Sequence, residues 1–138
     1  MTCTQPSPFL RFALRLDAGV SLLSGLPLLL ASHWLATQTQ LPGPLLWVAG
    51  LICLPYSMAL MWLASRPAVL HVVVLTIVVG NLLWAAGALA LMLGFGVNAN
   101  SAGLALLAIH VVATASFSVL QWTGLKQSSP ALPRALTA

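Results

Sequence analysis

The stretch AVLHVVVLTIVVGNLLWAAGALALML, from Ala68 to Leu93, decides the fold class of this protein. It contains no charged residue, and only His71, Thr76 and Asn81 interrupt the apolar run with clearly polar side chains. At a helical rise of about 1.5 Å per residue, roughly 20 apolar residues cross the hydrocarbon core of a bilayer. In water this stretch would form a helix that is apolar on every side. It therefore predicts a transmembrane helix.

The composition of the whole chain supports a membrane protein. Of its 138 residues, 60% are hydrophobic and 4% are charged, and the mean hydropathy is +1.03. Soluble domains carry about 25% charged residues, so one acidic and five basic residues could not cover the surface of a soluble fold. The net charge of +4 does not indicate nucleic-acid binding, because that needs basic residues clustered on a water-exposed face. The predicted partner is the lipid bilayer.

Three further apolar stretches predict a protein with four transmembrane helices. Two uncharged, turn-rich loops at 37–44 and 94–101 and the short turn at 65–67 separate the four stretches. Because the connections are short, the predicted architecture is an all-α, up-down bundle that forms a single domain over residues 1–138. The predicted spans are 16–36, 45–64, 68–93 and 102–125, and the predicted flexible tails are 1–8 and 127–138.

Small residues predict which spans pack closely, because helices in lipid approach one another where the side chains are small. The first span offers Ser21 and Gly25, the third offers Gly80 and Gly87, and the fourth offers Gly103. The second span is bulkier and richer in leucine and methionine. The sequence therefore predicts close contact among the first, third and fourth spans, with the second span more lipid-facing than the others.

The basic residues predict the orientation of the chain. With four spans, both termini and the 65–67 turn share one side of the membrane, and the loops on the other side carry no charge. The positive-inside rule then predicts that both termini are cytoplasmic. The small size and the high alanine and leucine content favour a bacterial inner membrane. The basic residues on the predicted cytoplasmic side are Arg11, Arg15, Arg66, Lys126 and Arg134.

Polar side chains within the spans are the candidate functional residues. Asp17 is the only acid in the chain, and a carboxylate at the edge of a membrane is costly unless it is paired or hydrated. We favour an ion pair with Arg15 or Arg66 near the cytoplasmic surface over a proton or cation site. The other polar side chains either join helices or line a small polar pocket. The predicted intramembrane polar cluster comprises Asp17, Ser21, Tyr56, Asn81, His110, Thr114 and Gln121.

Histidines and cysteines provide few ligands for a cofactor. His33 and His110 are the only histidines predicted to lie in the same half of the membrane, and they could ligate the iron of haem b. No CxxCH motif and no metal-ligand spacing is present. We predict no metal and no cofactor, with haem b left open as an alternative. Cys3 and Cys53 are predicted to be free thiols, because a disulfide would draw the N-terminal tail into the bilayer.

The segment RLDAGVSLLSG, from Arg15 to Gly25, has the form Arg-xxx-Gly-xxxxx-Gly at the start of the first span. In this it resembles the first span of DoxX-like proteins, which are small four-helix bacterial membrane proteins. The resemblance covers the first span only, and Asp17 within the motif is unusual. It implies the same number of helices and no particular activity.

Three functions remain open from the sequence. The leading hypothesis is a non-enzymatic accessory or assembly subunit, or a homo-oligomer, because no catalytic set, phosphate-binding loop or metalloprotease motif is present. The second is a small-molecule binder or transporter with a polar cavity inside the bundle. The third is a b-type haem or quinone redox subunit. These hypotheses require the centre of the bundle to be packed, hollow or occupied by a cofactor, respectively.

Overall fold

The computed structural model describes residues 3–131, most of which are helical. Four of the helices, α1, α3, α4 and α5, are long and apolar enough to cross a membrane. The predicted all-α fold with four transmembrane helices is confirmed. The elements in chain order are β1 (Cys3–Gln5), α1 (Pro8–Leu30), α2 (Ser32–Thr39), α3 (Gly43–Ala64), β2 (Val69–Leu70), α4 (His71–Met92), α5 (Ser101–Lys126) and β3 (Ser129–Pro130).

Helix α1 begins well before the predicted start of the first span at residue 16. The Ser7 hydroxyl caps the helix by accepting a hydrogen bond from the backbone N–H of Leu10 at 3.0 Å. Pro8 follows in the first turn, where a missing backbone donor costs nothing. As a result, Asp17 lies in the middle of α1 and not near its end.

The C-terminal part of the predicted first span forms the separate short helix α2. Pro27 lacks a backbone N–H, and α1 ends one turn later at Leu30. The backbone N–H of Ala31 still donates to the carbonyl of Pro27 at 2.9 Å, so the two helices are joined by a bend. Helix α2 then ends at Thr39, and the capping residue Gln40 adopts the left-handed conformation with φ 56°.

A small three-stranded sheet joins both ends of the described chain to the turn between α3 and α4. Strand β1 pairs antiparallel with β2 on one side and with β3 on the other. The predicted flexible tails, 1–8 and 127–138, therefore contain ordered backbone, which the strand hydrogen bonds and the burial of Thr4 and Val69 stabilise. The parts of these tails beyond 3–131 lie outside the described residues.

The most extensive helix contact is between α1 and α3. A Cβ atom at Gly25 would lie 2.6 Å from the Cβ of Cys53, and one at Gly50 would lie 2.8 Å from the carbonyl oxygen of Gly25. The two glycines let the helix backbones meet. The prediction that the second span is more lipid-facing than the others is therefore wrong, because α3 packs against α1 through Gly50, a glycine that composition alone does not reveal.

Helices α3 and α4 follow one another in the chain but approach each other closely at almost no point along their backbones. The other extensive contacts are those of α4 with α5 and of α5 with α1. The bundle is thus closely packed on three sides and looser on the side between α3 and α4.

Two hydrophobic clusters fill the two ends of the bundle. The cluster nearest the sheet includes Leu10, Leu14 and Leu60, and the opposite cluster includes Leu28 and Leu107. Along α1, Asp17 lies between Leu14 and Ala18 of the cluster nearest the sheet, well before Leu28 of the opposite cluster. The buried acid is therefore surrounded on its own helix by apolar side chains.

Candidate functional site

Asp17 is the centre of a hydrogen-bonded polar cluster inside the bundle, and its side chain is 0% exposed. Its Oδ2 accepts from Nε2 of Gln121 at 2.7 Å, from Nδ2 of Asn81 at 2.8 Å and from the hydroxyl of Tyr56 at 3.0 Å. Its Oδ1 accepts from the hydroxyl of Ser21 at 3.0 Å. Helices α1, α3, α4 and α5 each contribute at least one member, so the cluster ties all four long helices together.

Neutral donors hold the Asp17 carboxylate. In the described part of the chain they take the place of the favoured ion pair with Arg15 or Arg66. The guanidinium of Arg66 instead stacks over the ring of Trp62, 4.0 Å from its centroid. The physical reason is burial: Asp17 is fully buried, whereas Arg15 and Arg66 are exposed, and residues two apart on a helix do not face each other.

Two further contacts close the cluster. Nδ2 of Asn81 lies 3.2 Å from Oε1 of Gln121, and the hydroxyl of Tyr56 lies 3.1 Å from Oδ1 of Asn81. The phenol oxygen is therefore within hydrogen-bond distance of two acceptors, the Asp17 carboxylate and the Asn81 carbonyl. The cluster is a connected network and not a set of separate pairs.

His110 and Thr114, the other predicted members, hydrogen bond to their own helix. Thr114 donates to the carbonyl of His110 at 2.7 Å, and Nδ1 of His110 lies 2.9 Å from the carbonyl of Leu106. A carbonyl only accepts, so Nδ1 of His110 is the donor in this contact. Ser118, on the same stripe of α5, also donates across to the carbonyl of Val78 on α4 at 3.1 Å.

A cavity of about 250 Å³ lies beside the cluster, among all four long helices. We call it the central chamber. Asp17 does not line the chamber itself. Its hydrogen-bond partners Ser21, Tyr56 and Asn81 line the chamber and lie between it and the carboxylate. The side chains that define it here are Ser21, Tyr56, Asn81, Trp84, His110 and Thr114.

A second cavity, of about 570 Å³, lies on the loosely packed side of the bundle. We call it the α3–α4 cleft. Val48 and Leu83 belong to its wall and are exposed on the bundle surface, Leu83 to 68%. The cleft is therefore open towards the surroundings of the protein. The side chains that define it here are Leu45, Val48, Ile52, Leu83, Trp84 and Leu91.

Glycines on α4 make room for the cleft. A Cβ atom at Gly80 or Gly87 would meet no atom within 4 Å, and both residues line the cleft. Gly80, Trp84, Ile52 and His110 line both cavities, so the chamber and the cleft adjoin along these four residues. The sequence predicts Gly80 and Gly87 to be packing residues, because periodicity does not show what a helix face meets.

The two histidines considered for haem lie in different surroundings. His33 is exposed on α2 and lines neither cavity, whereas His110 lines both. Within residues 3–131, no group of three or more His, Cys, Asp or Glu side chains could hold a metal ion. Cys3 and Cys53 are free thiols, as predicted, the first exposed and the second buried.

Comparison with known proteins gives no match to a family model, to a curated protein or to a solved structure. The DoxX-like resemblance of the first span therefore stays a prediction.

Proposed function

We propose that this membrane protein binds an apolar or amphipathic small molecule that reaches it sideways from the lipid. The α3–α4 cleft carries the proposal. Its volume of about 570 Å³ falls within the range of roughly 300–1,000 Å³ that is typical of ligand pockets. Its wall is almost entirely aliphatic and aromatic, and its mouth opens on a lipid-facing side of the bundle.

The central chamber supports the same proposal, because it adds a few polar groups to one end of an apolar pocket. Typical small-molecule sites combine an apolar wall with a small number of placed polar groups. The chamber supplies Ser21, Tyr56 and Asn81, which the buried carboxylate fixes in place. An amphipathic molecule could therefore place its body in the cleft and its polar group in the chamber.

Photolabelling with benzophenone tests the proposal. The probe is neutral and apolar, and it inserts into nearby C–H bonds on irradiation. With the protein in lipid nanodiscs, we expect saturable labelling of the cleft residues on α3 and α4, mapped by peptide mass spectrometry. Gly87→Leu should abolish this labelling, because its side chain would fill space that is empty beside Gly87.

Gly19→Leu is the matched control. A Cβ atom at Gly19 also meets nothing within 4 Å, but Gly19 lies on α1 and lines neither cavity. This variant should be labelled like the unmodified protein. Labelling that does not saturate and is spread evenly over all lipid-facing positions would show that the cleft binds nothing and would refute the proposal.

An accessory or oligomeric role is the competing proposal, in which a helix of a membrane-protein partner or of a second copy covers the cleft. The observation that favours it is the same open, apolar side of the bundle. Purification in mild detergent distinguishes the two. A stoichiometric partner or a stable oligomer that blocks benzophenone labelling would favour the accessory role, and a monomer with a saturable cleft would favour ligand binding.

The haem alternative makes a simple optical prediction. If His33 and His110 held haem b, protein purified gently from its own membranes would show a Soret band. A colourless sample would remove this alternative. We propose that the bound molecule is not a haem, because only one of the two histidines lines the cavities.

We further propose that the protein resides in a bacterial inner membrane with both termini in the cytoplasm. The sheet supports a shared side, because β1 and β3 meet beside the turn that carries Arg66. Cys3 is exposed at that end, so a membrane-impermeant maleimide should label it only after the membrane is opened. Labelling of Cys3 in intact spheroplasts would contradict this orientation.

A further inference from the structure

We infer that the central chamber recognises a protonated amine, so that the ligand is an amphipathic ammonium ion with an apolar body. This inference rests on the proposed function and names the chemical class of its ligand. It follows from the inventory of hydrogen-bond donors and acceptors around the chamber, from its charge and from its aromatic residues.

Two polar residues of the chamber wall, Ser21 and Asn81, have their donors engaged within the buried cluster. The hydroxyl of Ser21 donates to Oδ1 of Asp17, and one N–H of Asn81 donates to Oδ2. The second N–H of Asn81 points to Oε1 of Gln121. What Ser21 and Asn81 have left to offer a ligand is lone pairs. This polar side of the chamber wall therefore favours a ligand that donates hydrogen bonds.

At Tyr56 the cluster has one hydrogen-bond donor fewer than it has acceptors. Its phenol has a single proton, but its oxygen lies 3.0 Å from Oδ2 of Asp17 and 3.1 Å from Oδ1 of Asn81. The proton can serve only one of these acceptors. Both Tyr56 and Asn81 line the chamber, so an N–H of a ligand would supply the missing donor at this point.

The charge of the cluster favours a cation over a neutral donor. The shell around Asp17 consists of donors, which fits an ionised carboxylate, and the hydrogen bonds it receives in residues 3–131 come from neutral groups. A charge inside a membrane protein is costly unless an opposite charge compensates it. A cation in the chamber would lie one side chain away from this carboxylate.

Aromatic rings complete the site for a cation. Tyr56, Trp84 and Phe117 contribute to the chamber wall from three different helices. The face of an aromatic ring attracts a cation, most strongly when both are shielded from water. The chamber of about 250 Å³ accepts a small ammonium group, while the adjoining cleft of about 570 Å³ accepts the apolar body.

Two probes of the same size test the inference, benzylamine in its protonated form and benzyl alcohol. Both have an apolar ring and a hydrogen-bond donor, but only the first carries a charge. We expect benzylamine to bind the protein in nanodiscs at least about tenfold more tightly than benzyl alcohol. Equilibrium dialysis against protein-free nanodiscs corrects for partition into the lipid.

Three variants assign the preference to the chamber. Asp17→Asn keeps the size of the side chain and removes its charge, and it should bring the ratio of the two affinities close to one. Trp84→Leu leaves the polar cluster intact and should lower the ratio through the loss of the aromatic face. Gly87→Leu should weaken both probes and leave their ratio unchanged, because it fills the cleft and not the chamber.

The outcomes distinguish a failure of the proposed ligand-binding function from a failure of the ammonium inference. If neither probe binds the unmodified protein, the proposed ligand-binding function fails. If benzyl alcohol binds as tightly as benzylamine, ligand binding stands and the ammonium inference is overturned. If Asp17→Asn does not fold, an unchanged affinity ratio in Trp84→Leu still overturns the inference, and a reduced ratio supports it.

Discussion

Helix α3 packs closely against α1 but stands apart from α4, although glycines occur on both of these sides. Towards α1, Gly50 and Gly25 bring two backbones together, with no room for a methyl group at either position. Towards α4, Gly80 and Gly87 face empty space. Two helices in lipid approach each other closely where both of them carry small residues at the contact. A small residue on one helix that meets no side chain of its neighbour leaves a cavity. The contact between α1 and α3 holds these two helices together, and the gap between α3 and α4 leaves room for the proposed ligand.

Gly50→Ala should have the largest effect on stability. The added methyl group would meet the backbone N of Leu29 and the backbone C of Leu28, the latter at 2.9 Å. Backbone atoms on a helix cannot yield as the end of a side chain can, so the free energy of unfolding should fall by about 3 kcal/mol. SDS titrated into protein in mild detergent, followed by tryptophan fluorescence, measures the change.

Gly19→Ala provides the control for this effect, because its methyl group would meet open space on the same helix pair. It should leave the unfolding midpoint unchanged or raise it slightly. Equal midpoints for Gly50→Ala and Gly19→Ala would mean that α1 and α3 can separate freely, and the contrast between the two sides of α3 would be lost.

Asn81→Leu should have an intermediate effect. Its side chain joins α4 to α1 through Asp17 and to α5 through Gln121, on the side where α4 and α3 do not pack. Hydrogen bonds between helices in membranes contribute about 0.6–1.7 kcal/mol, so a loss of about 1–2 kcal/mol is expected by SDS titration. The variant also leaves the carboxylate with one donor fewer.

Thr114→Val is the companion to this variant. The Thr114 hydroxyl bonds only to a carbonyl of its own helix among the described residues, so its loss should cost about 0.5 kcal/mol or less. A cost as large as that of Asn81→Leu would indicate that burial of any polar group in this region matters more than the links between helices.

Gly87→Ala should have the smallest effect and the opposite sign. The methyl group enters empty space, and alanine favours a helix over glycine by up to about 1 kcal/mol. The SDS midpoint should therefore stay the same or rise. A loss of stability would show that α4 closes onto α3 at Gly87, which would remove the cleft and the proposed function with it.

Much of the architecture is predictable from the sequence because it depends on local properties. The apolar stretches from 45 to 64 and from 102 to 125 agree with α3 and α5 to within a few residues. In lipid a helix satisfies its backbone within its own segment, so length and composition suffice. The first span is the exception, since the polar cap at Ser7 extends α1 beyond its apolar part and α1 ends at Leu30, before the predicted end at residue 36.

The candidate site was predictable in its residue types but not in its connections. Polar side chains in spans indicate Asp17, Tyr56 and Asn81 as candidates without saying which of them meet. The sequence does not show which face of α1 is buried, and that face decides that Asp17 meets Asn81 and Gln121 and not an arginine. The polar side chains left a polar cavity inside the bundle open as one interpretation, but the α3–α4 cleft left no signal in the sequence, because empty space is a property of the assembled helices.

The sequence by itself determined that this chain forms four membrane-crossing helices, because apolar length and composition act within each segment. Only the tertiary structure decided that α1 packs on α3, that four neutral donors surround Asp17, and that α4 stands apart from α3. The physical reason is that lipid exerts almost no hydrophobic force between helices. Their arrangement then depends on a few glycine contacts and buried hydrogen bonds between residues far apart in the chain.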